Sequence, residues 1–68
     1  MEQGVVIVKQ FDVVRITKDY PIEGIIKGQI GTILDVYDDN HFEIEICDDY
    51  ERTLFLVTLS KDFLEVVV

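Results

Sequence analysis

Tryptophan is absent from this chain of 68 residues, and proline, cysteine, histidine and serine occur once each. Each scarcity excludes something. The lone Cys47 cannot close an internal disulfide, so so short a chain must hold together by burial and hydrogen bonding, which predicts a reducing, cytoplasmic setting. His41 and Cys47 flank the segment Phe42-Glu43-Ile44-Glu45-Ile46. On an extended chain that spacing is about 20 Å, beyond hydrogen-bond reach, and Ser60 is the one remaining hydroxyl of its kind. The inventory predicts no enzyme and no catalytic residue. Without tryptophan, and with tyrosines scattered at Tyr20, Tyr37 and Tyr50, a groove for proline-rich peptides is not supported either.

Metal chemistry fares little better. Asp38, Asp39, Asn40 and His41 cluster at one turn and Asp48 and Asp49 at the next, but no calcium-loop spacing is matched, and structural zinc needs more than one histidine and one cysteine. The expectation is a pair of solvated turns with no metal and no cofactor.

Positive charge is also scarce: six Lys and Arg stand against fourteen Asp and Glu, a net charge of -8. No basic stretch supplies the counterion release on which nucleic-acid affinity rests, so nucleic acid is disfavoured and a protein with a basic surface is the expected partner. Long apolar runs are missing too. Val5 to Val8 is too short for a signal sequence or a membrane span, and Met1-Glu2-Gln3-Gly4 carries no basic residue, which predicts a soluble protein with no membrane partner.

What remains is 49% apolar against 29% charged, the balance of a packed globule. The length allows one domain, residues 1–68, and a net stability of only about 3–5 kcal/mol. Helical periodicity is hard to find, whereas alternation and β-branched residues are plentiful. Phe11 to Thr17 reads as a first strand, with residues 1–10 as an N-terminal edge strand or arm built on Val5 to Val8. Lys18 to Gly24, with Pro21, reads as a loop. Gly28 to Tyr37 reads as a turn feeding a strand, and Asp38-Asp39-Asn40 as the turn of a hairpin.

His41 to Ile46 alternates cleanly, placing Phe42, Ile44 and Ile46 inward and Glu43 and Glu45 toward water. Arg52 to Leu59 is apolar enough to be covered on both faces, which predicts the central or most buried strand. Ser60 starts a short 3₁₀ turn, and Leu64 to Val68 forms a last strand whose open edge invites pairing, so the chain is expected as a monomer or an edge-strand homodimer. The pattern predicts an all-β, five-stranded small barrel.

Gly28-Gln29-Ile30-Gly31-Thr32-Ile33, with Asp12-Val13-Val14 before it, resembles the pattern of SH3-like barrels, including KOW-type modules. There Gly24, Gly28 and Gly31 serve turns and close strand approach. Over Phe11 to Val66, the order F-D-V-V, a proline loop, G-x-x-G-T-I, F-E-I-E-I and an acidic turn resembles a family of small bacterial proteins classed as a domain of unknown function. That resemblance implies an SH3-like fold and brings no activity or site residues. Two features depart from it: the Val5 to Val8 extension, and Tyr50-Glu51 in place of a turn glycine.

The strongest functional signal is local. Asp38, Asp39, Glu43, Glu45, Asp48, Asp49 and Glu51 are half of the fourteen acids, with no Lys or Arg between 38 and 51. Together with Tyr50 they form the candidate partner-binding surface of a non-catalytic interaction module, in one form an inhibitor of the antitoxin or immunity type. Simple solubilisation explains the same charge. A KOW-like nucleic-acid or ribosome-associated module, and a docking subunit of an enzyme or electron-transport complex, are the alternatives.

Overall fold

Alternation becomes pleat once each strand finds its partner. The structure, a computed structural model, describes residues 7–50 and 52–67. It contains five strands: β1 (Val13–Ile16), β2 (Ile30–Asp38), β3 (His41–Cys47), β4 (Thr53–Ser60) and β5 (Leu64–Val66). Two single 3₁₀ turns interrupt them, Pro21–Glu23 in the first long loop and Lys61–Phe63 just ahead of β5. Among the described residues no helix is long and apolar enough to cross a membrane.

All pairings are antiparallel, in the order β4-β3-β2-β1-β5. The all-β, five-stranded architecture and the 3₁₀ turn before the last strand are as the sequence predicts. The sheet is open, however, because the three-residue β5 pairs with β1 and leaves β4 unjoined at the far edge, so a closed barrel is not formed. Of the N-terminal strand expected over Val5 to Val8, positions 5 and 6 lie outside the described residues; Ile7 and Val8 are not in a strand, and Val8 packs against the core.

Register explains the core. Val14, Gly31, Ile46 and Phe55 lie in one cross-strand row, and Ile33, Ile44 and Val57 in the next. Val14, Ile16, Ile25, Ile33, Phe42, Ile44, Ile46, Val57 and Leu59 are the buried residues. Each is aliphatic or aromatic, and among the described residues no buried polar side chain interrupts them. Close packing of such rows is the main stabilising term in a domain without disulfides.

The glycines shape the first half of the sheet. Gly24 ends the 3₁₀ turn at φ 73°, its N–H donating to the Pro21 carbonyl at 3.0 Å, and Gly28 (φ 98°) donates to the Ile16 carbonyl at 2.8 Å. Gly31 is needed for another reason, because β3 passes directly over its α-carbon.

Phe11, read from sequence as the start of β1, instead sits in a turn at φ 73° with its ring 70% exposed. Its N–H donates to the Ile33 carbonyl at 2.7 Å, and Asp12 closes the turn by accepting from the Lys9 N–H at 2.8 Å. Strand pairing begins only at Val13.

The Thr53 to Leu59 segment is also corrected. It is an edge strand with one face buried: Val57 and Leu59 are buried and Phe55 packs on the core, while Leu54 and Leu56 are 51% and 54% exposed. A bulge where Ile46 faces Phe55 but Cys47 faces Thr53 leaves Leu54 as the extra residue.

Candidate functional site

Seven of the eight candidate residues are described; Glu51 lies outside the described residues. They sit along β3 and at the turns on its two ends. Since β3 buries Phe42, Ile44 and Ile46, the two-residue period sends Glu43 and Glu45 to the outer face, each partly exposed. Asp38 ends β2 and Asp39 lies in the turn that leads into β3, while Asp48, Asp49 and Tyr50 belong to the turn that follows it. Acidic residues therefore run along the whole length of the strand.

The two turns are built by their own acids. The Asp38 carboxylate accepts the Asn40 N–H at 2.8 Å and lies 3.0 Å from Nδ1 of His41. The Asn40 N–H, then the His41 ring, hold this carboxyl below the ordinary aspartate value. At the second turn Asp48 accepts the N–H of Tyr50 at 2.8 Å, the N–H of Arg52 at 2.9 Å and the Arg52 Nε at 2.9 Å. The Arg52 N–H is the largest cause of its lowered pKa, partly opposed by desolvation.

This is the work expected of a glycine in that turn: Asp48 organises the backbone through hydrogen bonds instead. Tyr50 is 78% exposed, with the Arg52 guanidinium 5.3 Å from its ring centre.

Glu43 and Glu45 are also engaged. The Tyr37 hydroxyl donates to Glu43 Oε1 at 2.7 Å, and this bond is the main reason the phenol titrates above its ordinary value. Thr53 Oγ1 donates to Glu45. Among the described residues, Asp39 and Asp49 make no hydrogen bond or ion pair, so their charges are offered wholly to solvent.

Register adds residues that the sequence did not single out. Asp35 faces Glu43 across the β2–β3 ladder, extending the acidic band onto β2. Val13, Thr32, Glu45 and Leu56 form one outer row, and Arg15, Ile30, Cys47 and Thr53 the next. Exposed aliphatic side chains thus stand beside the carboxylates. A broad open groove on this face has among its lining residues Val13, Ile30 and Leu54 together with Glu45, Asp48, Asp49 and Lys27.

Only the apolar excess of the Thr53 to Leu59 run signalled these aliphatics in advance. The pairing of Asp35 with Glu43 depends on the irregularity in β2 between Ile33 and Asp35, which no local pattern reveals.

Other candidate groups stay apart. His41 and Cys47 occupy the two ends of β3. Among the described residues no group of three or more His, Cys, Asp or Glu side chains is placed to hold a metal ion. Tyr20 stacks on Phe63 with ring centres 5.2 Å apart, and Phe55 packs against the core, so neither is a free aromatic anchor.

No curated protein and no solved structure matches the chain. A family model does match, over residues 10–66, within one residue of the segment that the Phe11 to Val66 motifs mark out. The chain belongs to the family described as a domain of unknown function, DUF4926.

Proposed function

We propose that this domain is a non-catalytic interaction module whose outer β2–β3–β4 face docks a protein with a basic surface. The observation that carries the reading is the meeting on one face of partly exposed carboxylates, Glu43 and Glu45, with the exposed aliphatics Ile30, Leu54 and Leu56. Acids in that position steer a cationic partner and reject an anionic one, while the aliphatics supply the apolar contact that gives a complex its lifetime. Asp39 and Asp49, which have no partner among the described residues, give up no such contact when a partner's Lys or Arg pairs with them. An inhibitor that occupies a basic active site, as antitoxin and immunity proteins do, is the form that fits a small acidic chain best.

An SH3-like reading of the fold is supported by the strand order β4-β3-β2-β1-β5 and by the 3₁₀ turn ahead of β5. The KOW-like nucleic-acid role that such a fold brings to mind meets a net charge of -8 and draws no support from this face.

Affinity capture from the source cell, wild type beside a Glu43→Ser, Glu45→Ser, Asp49→Ser variant, tests the docking reading. It is supported when a protein with a basic surface is captured by the wild type and lost by the variant. Equal capture by both overturns it. A mobility shift with RNA or DNA at low salt would favour the nucleic-acid role in its place.

A further inference from the structure

The sheet has two edges of opposite character. β5 is three residues long, and its central Glu65 is tied to Arg15 at 2.9 Å, so it offers little backbone and carries a charge. Short length and charge are the usual protections of an edge strand. β4 has neither. It is eight residues long and is the longest run of the chain without a charged side chain. Among the described residues its only hydrogen-bonded neighbour is β3. Along the same edge Leu54 and Leu56 remain about half exposed, although the segment is apolar enough to be covered on both faces.

We propose that β4 pairs antiparallel with β4 of a second copy across a two-fold axis, joining the two sheets into one of ten strands. The choice of occupant follows from charge and symmetry. Two chains of net charge -8 repel at almost any surface, and Thr53–Ser60 is where their backbones meet with no carboxylate between them. An antiparallel strand is complementary to itself, so Leu56 faces the Leu56 region of its mate and Leu54 faces the Thr58 region, with an isologous contact as the result. At the usual strand spacing of about 4.8 Å, the exposed leucines of the two outer faces become one covered apolar strip. The acidic band along β3 and Ile30 stay open on each copy, whereas Leu54 and Leu56 belong to both surfaces, so the pairing takes up two of the docking face's aliphatics and leaves its carboxylates free.

Sedimentation equilibrium of the full chain at low and high salt is the test, with Leu56→Glu, Leu56→Ser and Ile22→Glu alongside. Ile22, 88% exposed in the loop between β1 and β2, receives the same added charge outside β4. The wild type is expected at twice the 7.9 kDa chain mass, with the dimer strengthened at about 1 M salt, where the screening length falls to about 3 Å. Leu56→Glu is expected to weaken association at least about tenfold while retaining the wild-type circular dichroism, because a carboxylate would have to be desolvated in the seam. Leu56→Ser, which adds no charge, reads out the same seam should Leu56→Glu fold poorly, and Ile22→Glu is expected to dimerise as the wild type does. A wild type that stays monomeric at high salt overturns the proposal. So does a dimer indifferent to both Leu56 changes, or one that Ile22→Glu disrupts equally.

Discussion

Gly31 and Ile44 meet so closely between β2 and β3 that a β-carbon at position 31 would lie 2.6 Å from the Ile44 Cγ2 and 2.9 Å from the Glu45 carbonyl oxygen. The second neighbour is backbone, and a methyl there forces the two strands apart. Gly31→Ala is therefore expected to cost about 1–3 kcal/mol, the usual effect of overpacking. Against a total of about 3–5 kcal/mol for a domain of this size, chemical denaturation should show a large part of the stability gone. At Gly24 and Gly28 a β-carbon meets open space, so an alanine there is opposed only by the positive φ, at about 1–2 kcal/mol.

Core truncation is expected to separate the faces of the sheet. Ile44 is fully buried, and Ile44→Ala should cost about 2–5 kcal/mol, enough to unfold most of the population. Leu54→Ala, on the exposed face, is expected to stay within about 0.5 kcal/mol of the wild type when measured on the monomer. Urea melts at low protein concentration check both.

Phe11 holds a left-handed backbone conformation with an exposed ring. Bulky residues adopt that conformation at a cost that asparagine largely avoids. Phe11→Asn is expected to raise stability by about 1 kcal/mol, visible as a higher thermal midpoint. A fall would mean that the ring is packed more tightly than its exposure indicates.

Much of this was legible because one signal dominated locally. The alternation of Phe42 to Ile46 admits one orientation of β3, and Asp38-Asp39-Asn40 admits little but a turn, so the hairpin follows from sequence. Position within the sheet is a different kind of information. Arg52 to Leu59 reads as a central strand because it is apolar on both faces, yet the chain has no sixth strand among its described residues to lie beside it. Phe11 reads as strand because its neighbours are β-branched, whereas the Lys9–Asp12 turn diverts it. The acidic cluster was visible as a count. Its division into turn-building acids, Asp38 and Asp48, and uncommitted ones, Asp39 and Asp49, required the hydrogen bonds.

That division carries a pH dependence. Asp38 and Asp48 titrate below the ordinary value of 3.8 in the folded chain. A carboxyl with a lowered folded pKa contributes stability that is complete above its unfolded pKa and is lost as pH falls through the folded value. The turn contribution should therefore persist down to about pH 4 and fade below it. Asp48→Ala is expected to lower the stability plateau and flatten that acid limb. Denaturant midpoints across the acid range, at a salt level that screens the net charge, check this.

The docking surface is tested most directly by the affinity of the captured basic partner, purified, for the wild type and for the Glu43→Ser, Glu45→Ser, Asp49→Ser variant across a range of salt. The expected result is a dissociation constant at least about tenfold weaker for the variant, a loss of about 1.4 kcal/mol, and a salt dependence that shrinks with the charges removed. Equal affinities for the two chains, with no response to salt, would contradict a partner held on the acidic face.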